Sequence, residues 1–208
     1  MKPIKIIATN LLLFFVASMS AQEIDPEKIE DPFNKLSYGV KAGLNYATAT
    51  KGTASTPPDS RLGLYAGIMG EIPIINELLS IQGEVLYSEQ GFERIYKISG
   101  EELTAEYHIN YINIPILAKY YLVKGFSIEG GPQFGFLISD KINTPFSREE
   151  TPIPDKIKSF DLSIALGTSF EFDGGLFINM RYTHGFNNVI DEIDSKNTTF
   201  QIGLGYKF

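Results

Sequence analysis

From Leu36 to the C terminus, apolar and polar residues alternate with period two in segment after segment. Tyr38, Val40, Ala42, Leu44 and Tyr46 share one face, with Gly39, Lys41, Gly43 and Asn45 on the other. Leu62, Leu64, Ala66, Ile68 and Ile72 oppose Gly63, Tyr65, Gly67 and Glu71, and Leu79, Ile81, Val85 and Tyr87 oppose Ser80, Gln82, Glu84 and Ser88. The second half repeats the pattern more clearly around Phe126–Ile138, Phe160–Phe172, Leu176–Phe186 and Phe200–Phe208. Such alternation marks strands with a single apolar face.

A further strand near 106–121 brings the count to about eight, within the range of single-chain barrels. Its phase slips: Tyr107, Ile109 and Tyr111 precede Ile112, Ile114 and Ile116 in the opposite phase, with Pro115 just beyond the slip. The slip predicts a bulge, where a missing ladder N–H does least harm. Pro132 also falls inside a strand, and periodicity offers no account of it. Compact links around Ile74–Leu78, Val123–Gly125 and Asp173–Gly175 alternate with long polar ones at Thr48–Ser60, Gly91–Ala105, Ser139–Lys156 and Asn187–Asn197. Short turns at one end and long loops at the other are the arrangement of outer-membrane barrels.

Alternation alone does not orient the faces. A soluble sandwich or lipocalin-like barrel would bury the apolar face and wet a charge-rich one. Here the polar face is mostly Gly, Ser, Asn and Gln, without the mixed charge density of a water-facing surface. Small residues suit the inside of a narrow barrel, where about eight strands leave room only for side chains. The other face is bulky and ends its strands in Tyr, Phe or His, matching interfacial aromatic girdles. In hydrocarbon every backbone polar group must be paired internally, so strands can span only as a closed cylinder. The expected fold is all-β: a single antiparallel up-and-down transmembrane barrel over residues 36–208.

Residues 1–21 have the layout of a secretory signal peptide: Lys2 and Lys5, an apolar stretch from Ile6 to Val16, then Ala17-Ser-Met-Ser-Ala21. Its removal changes the formal net charge from −7 to −9. Residues 22–35 are charged, carry Pro26 and Pro32, and read as an acidic periplasmic leader. With 18 basic against 25 acidic residues, nucleic acid is a poor partner, since phosphate neutralisation needs clustered Lys and Arg. The chain has no Cys, which removes disulfides, thiol nucleophiles and thiolate metal sites.

Several segments resemble the PorT-like, or porin-family, outer-membrane β-barrel domain of Gram-negative bacteria. They are Tyr38-Gly-Val-Lys-Ala-Gly-Leu-Asn45, Tyr111-Ile-Asn-Ile-Pro-Ile-Leu-Ala-Lys-Tyr120, Gly130-Gly-Pro-Gln-Phe-Gly-Phe-Leu137 and Ile202-Gly-Leu-Gly-Tyr-Lys-Phe208. The resemblance implies an outer-membrane location, outer-membrane lipids as surroundings, and Pro115 and Pro132 at positions usual for the family. It also implies that Leu204, Tyr206 and Phe208 form the terminal signal read by the barrel-assembly machinery.

The polar phase puts Lys41, Glu71, Glu84, Glu129 and Arg181 on the lumen side at comparable distances from the short-turn ends. Isolated charges in a confined lumen are costly, so they should pair. Arg181 is expected to meet Glu84 or Glu129, and Lys41 to meet Glu71. A polar plug is the main reading of this set, and a gate or narrow ion path the alternative.

No catalytic, cofactor or metal site is expected. His108 and His184 near the long-loop end read as interfacial residues in the absence of a ligand-spacing motif. Glu71, Glu84, Glu129 and Asp161 could pair as catalytic carboxylates, but no cleft for a sugar is indicated. Gly130-Gly131 lacks the strand-to-helix context of a phosphate loop. Acidic residues in two outer loops (Asp140, Glu149, Glu150 and Asp155; Asp191, Glu192 and Asp194) have no regular cation-ligand spacing.

The functional expectation is a non-enzymatic barrel with a side-chain-filled lumen. It would present its loops to an envelope or extracellular protein, in adhesion or in envelope or secretion-associated assembly. A narrow channel for small solutes or ions is the second reading, and an enzyme acting on outer-leaflet lipids the third.

Overall fold

The computed structural model describes residues 36–50, 58–75, 78–98, 101–143, 157–190 and 193–208. The expected signal peptide and leader lie outside the described residues. Eight strands follow one another: β1 (Ser37–Ala49), β2 (Asp59–Ile75), β3 (Leu79–Ile98), β4 (Glu101–Val123), β5 (Phe126–Asn143), β6 (Phe160–Glu171), β7 (Leu176–Ile190) and β8 (Ile193–Lys207). Each pairs antiparallel with its sequence neighbours, and β8 returns to β1 through a register running from Gly39↔Lys207 to Ala49↔Asn197. The Phe208 N–H, donating to the Tyr38 carbonyl at 2.8 Å, extends the closing seam by one residue. No edge is left within the wall, the condition for crossing hydrocarbon with strands.

The barrel is inside-out relative to a water-soluble protein. Arg181 is 1% exposed while Leu62 is 62% exposed, and the same inversion recurs around the wall outside the apolar cap described below. Val40, Leu44, Leu64, Ile68, Ile178 and Ile202 point outward, whereas Lys41, Asn45, Gln82, Glu84, Glu129 and Gln201 are buried in the lumen. Aromatic side chains ring the outer face near both ends. Tyr38, Phe170, Phe172 and Tyr206 lie toward the short turns, and Tyr46, Phe136, Phe160 and Phe200 toward the long loops. Their pairs, such as Phe170–Phe172 at 4.9 Å and Phe136–Phe160 at 5.6 Å between centroids, form interfacial girdles.

Three sequence expectations change. The residues expected as a long loop at 91–105 are largely strand, with β3 reaching Ile98 and β4 starting at Glu101; β5, β7 and β8 likewise run into their expected loops. Past the bilayer no lipid demands an apolar face, so the alternation that identifies a strand is lost while its backbone pairing continues. Second, β4 has no slipped phase. Its odd residues point inward from Ala105 to Lys119, and Tyr107, Ile109 and Tyr111 are buried inside the barrel. With Ala49, Phe92, Ala105, Ile157 and Val189 they form an apolar cap toward the long-loop end of the lumen, in which Phe92 stacks on Tyr107 at 4.6 Å. The change from Tyr111 to Asn113 is a change of lumen chemistry from cap to polar interior. The bulge lies on β5 instead, where Asn110↔Ser139 is followed by Tyr111↔Leu137. Third, Pro115 and Pro132 sit where ladder pairing is interrupted without loss of register, between Gly83↔Ile116 and Leu86↔Asn113 on one side and Pro115↔Gln133 and Ala118↔Gly130 on the other.

Gly91 takes φ +125° on β3 opposite a bulge in β2, and a Cβ there would strike the Tyr107 carbonyl oxygen. Gly83, on the same strand, has open space around its Cβ position. Gly91→Ala should therefore lower the unfolding free energy in micelles by about 1–3 kcal/mol. Gly83→Ala should stay within about 0.5 kcal/mol of wild type in the same urea titration.

Candidate functional site: a charge lock in the lumen

Two charged layers fill the lumen, each drawn from alternate strands, the usual consequence of tilted strands in a small barrel. The first comes from β1, β3, β5 and β7. The Arg181 guanidinium grips Glu84 with two parallel bonds, Nη1 to Oε2 at 2.7 Å and Nη2 to Oε1 at 2.8 Å. It also donates from Nε (2.8 Å) and Nη2 (2.6 Å) to Glu129 Oε1. Lys41 Nζ donates to Glu84 at 3.2 Å from the opposite side. Arg181 thus meets both carboxylates that the sequence offered as alternatives.

Glu71 belongs elsewhere, so the expected Lys41–Glu71 pair is corrected. Lys41 lies opposite Gly67 on β2, and Glu71 is four residues nearer the short turns, about 13 Å along the strand. There Glu71 joins a second layer from β2, β4, β6 and β8. Lys119 Nζ approaches it at 3.3 Å and Lys207 Nζ at 2.8 Å, and the Tyr121 hydroxyl donates to it. Lys207 also bonds Glu171 at 2.6 Å. Gln82 links the layers, its amide nitrogen donating to Glu84 at 2.5 Å and its oxygen accepting from Lys119 at 3.4 Å. Each layer contains two cations and two carboxylates and is electrically neutral. The residues missing from the sequence reading are Lys119, Lys207, Tyr121 and Glu171. The signal for the first was present, since Lys119 shares the odd phase of Asn113.

Glycines on the polar phase make room for large lumen side chains. Tyr65 lies against Gly43 and Gly203, where a Cβ would collide with its ring or hydroxyl, and its hydroxyl donates to Asn179 Oδ1 at 3.2 Å. Nearer the cap the polar side chains, Asp161 apart, are neutral. Gln201 donates to Asn45 Oδ1 at 2.8 Å, Asn45 to Ser88 at 2.9 Å and Gln90 to Ser88 at 2.9 Å. From short turns to long loops, the lumen therefore passes from charged, through neutral polar, to apolar.

The other candidates do not assemble. His108 accepts at Nδ1 from Arg61 (2.8 Å), which leaves its Nε2–H for Glu106 at 3.2 Å, while His184 bonds Thr198 on a different hairpin. Among the described residues no group of three or more His, Cys, Asp or Glu side chains could hold a metal. Glu149, Glu150, Asp155, Asp191 and Glu192 lie outside the described residues. At the short-turn end, Lys124 and Asp173 pair at 2.8 Å in full exposure. The contact raises the lysine's affinity for its proton and lowers the carboxylate's, but solvent screening leaves little stability in it. Leu204, Tyr206 and Phe208 all point outward along β8 and its end.

Removing one member of a buried ion pair typically costs about 3–5 kcal/mol, because the partner is left charged and uncompensated. Arg181→Met should lower stability by about that amount in urea titrations of the micellar barrel. Arg181→Met combined with Glu129→Gln keeps the neutral Lys41–Glu84 pair and should recover most of the loss.

The comparisons with known proteins agree with this architecture. The family described as "Outer membrane protein beta-barrel domain" matches residues 20–191. Among solved structures, the chain is similar to Ail, the attachment invasion locus protein of Yersinia pestis, solved in complex with the heparin analogue sucrose octasulfate. The TM-score is 0.51 at 15% identity, covering 83% of this chain and 99% of Ail. It is also similar to Neisserial surface protein A, with TM-score 0.54 at 12% identity, covering 82% of this chain and 97% of the other. No curated protein matches the sequence. These likenesses concern the fold, while the family match spans most of the chain. The chain belongs to the outer membrane protein beta-barrel domain family and is a protein of the bacterial outer membrane.

Proposed function

We propose that this protein is a closed, non-enzymatic barrel that acts through its long-loop end on an envelope or extracellular protein partner. The supporting observation is the filled lumen: two neutral charge layers and an apolar cap lie in series across the route a solute would take. A barrel without a path through it has its loops and rim to work with, and rigid scaffolds commonly carry function there.

Among the described residues the β3–β4 hairpin is the prominent feature of that end. Beyond the last described pairs with its neighbours, Asp59↔Glu93 and Glu106↔Asn143, it continues for five more, from Arg94↔Ala105 to Ile98↔Glu101. That adds about 17 Å of two-stranded ribbon. Such a ribbon offers backbone N–H and C=O groups to an extended partner segment. On this reading Leu204, Tyr206 and Phe208 serve the barrel-assembly machinery and take no part in partner binding.

Planar-bilayer recordings of the wild type should show no stable open current, and sustained single-channel conductance would favour the narrow-channel reading. Replacing residues 94–105 with a short Gly-rich turn should leave a folded, heat-modifiable barrel. It should also abolish cross-linking in intact cells to any envelope protein that the wild type captures. Retained cross-linking would place the contact on another loop.

A further inference from the structure

With both charge layers neutral, one buried carboxylate is left over. Asp161, at the start of β6, faces the lumen at 8% exposure and pairs with no cation among the described residues. It lies just below the apolar cap: Asn113, Gly135 and Asp161 stand opposite one another on β4, β5 and β6, one inward step from Tyr111. Two glycines clear the space around it. A Cβ on Gly135 would lie 2.9 Å from Asn113 Oδ1 and 3.3 Å from Asp161 Cβ, and one on Gly185 would lie 2.9 Å from Asp161 Oδ1.

The neighbouring polar atoms are incomplete in a consistent way. Asn113 turns its amide oxygen toward the open Cβ position of Gly135, which Asp161 flanks from the other side, and its Nδ2 has no hydrogen-bond partner. Gln133, opposite Ser163 on β6, places its Nε2 at 3.4 Å from the Ser163 hydroxyl and leaves Oε1 without a partner. Asn113 and Gln133 are 2% and 3% exposed, so bulk water does not supply what they lack. A carboxylate that accepts from the Ser163 hydroxyl therefore lines the same stretch of lumen as two amide oxygens, with no cationic donor among them. An ionised carboxylate buried in this way is expensive unless a positive charge accompanies it.

We propose that Asp161, Asn113, Gln133 and Ser163 form an internal site for a small monovalent cation of the sodium class. The all-oxygen donor set suits a hard cation. One carboxylate beside two neutral layers calls for a single positive charge, which a divalent ion would exceed. Water in the remaining coordination positions accepts from Asn113 Nδ2, as buried water commonly does for orphaned polar groups. The cation sits between the apolar cap and the charge lock and completes the neutrality of the lumen.

The test is the thermal mobility shift of the purified barrel in micelles at mildly alkaline pH, with sodium chloride replacing choline chloride at constant ionic strength. The wild-type midpoint should rise and saturate with sodium. Asp161→Asn should be insensitive to the exchange and match the wild type in sodium. Gln133→Leu keeps the carboxylate, guards against a misfolded Asp161 variant, and should raise the half-saturating sodium concentration about tenfold or more. An equal rise in wild type and Asp161→Asn, or no rise in the wild type, would overturn the site. So would an infrared band from a protonated carboxyl that persists in sodium and disappears in Asp161→Asn.

Discussion

A hydrocarbon phase accepts and donates no hydrogen bonds, and the architecture of this chain follows from that constraint. Every backbone group in the membrane must find its partner in the wall, so β8 has to return to β1 and the ladder has to close. Closure then fixes what each side chain meets. Alternate residues face acyl chains, where Val40, Leu64 and Ile202 are at home. The intervening ones face a space about as wide as two side chains, where water is scarce and charge must be answered locally. The inverted burial pattern and the neutral charge layers are two results of one requirement.

The charge lock shows how that requirement is met. Arg181 is the only residue of its layer that reaches two carboxylates, and its planar fork suits that task better than an ammonium group would. The lysines serve as point charges at the margins, Lys41 beside Tyr65 and Lys119 beside Tyr121, each within cation–π reach. A buried ionic network contributes less to stability than its bond count suggests, because desolvation offsets much of the attraction. Its consequence here is specificity: β1, β3, β5 and β7 are tied across the lumen in one register, which a one-residue slip would turn outward into lipid.

Much of this was legible in the sequence, and the remainder was hidden for physical reasons. Period-two alternation marks β1, β2 and β8 residue by residue, because lipid on one side and a polar lumen on the other impose opposite chemistries. It also marks Arg181, Glu84 and Glu129 as inward. It misleads where that contrast fades. Residues 94–98 and 101–104 extend beyond the barrel rim and lose the pattern while keeping the pairing. Tyr107, Ile109 and Tyr111 point inward although apolar, because they build the cap, and so they imitate a phase slip. Partners across the lumen are not legible either. The stagger between strands sets the height of each side chain, which is why Glu71 meets Lys207 and Lys119 and not Lys41.

The absence of cysteine from the natural chain makes the orientation of the wall directly measurable. Single cysteines placed in turn at each position from 62 to 70 on β2, spin-labelled in a lipid bilayer, report access of dissolved oxygen, which concentrates in the acyl region. Maxima are expected at positions 62, 64, 66 and 68 and minima at 63, 65, 67 and 69, the latter shielded also from water-soluble relaxants. Oxygen access peaking at the odd positions, or uniform access to the aqueous reagent along the strand, would contradict this orientation.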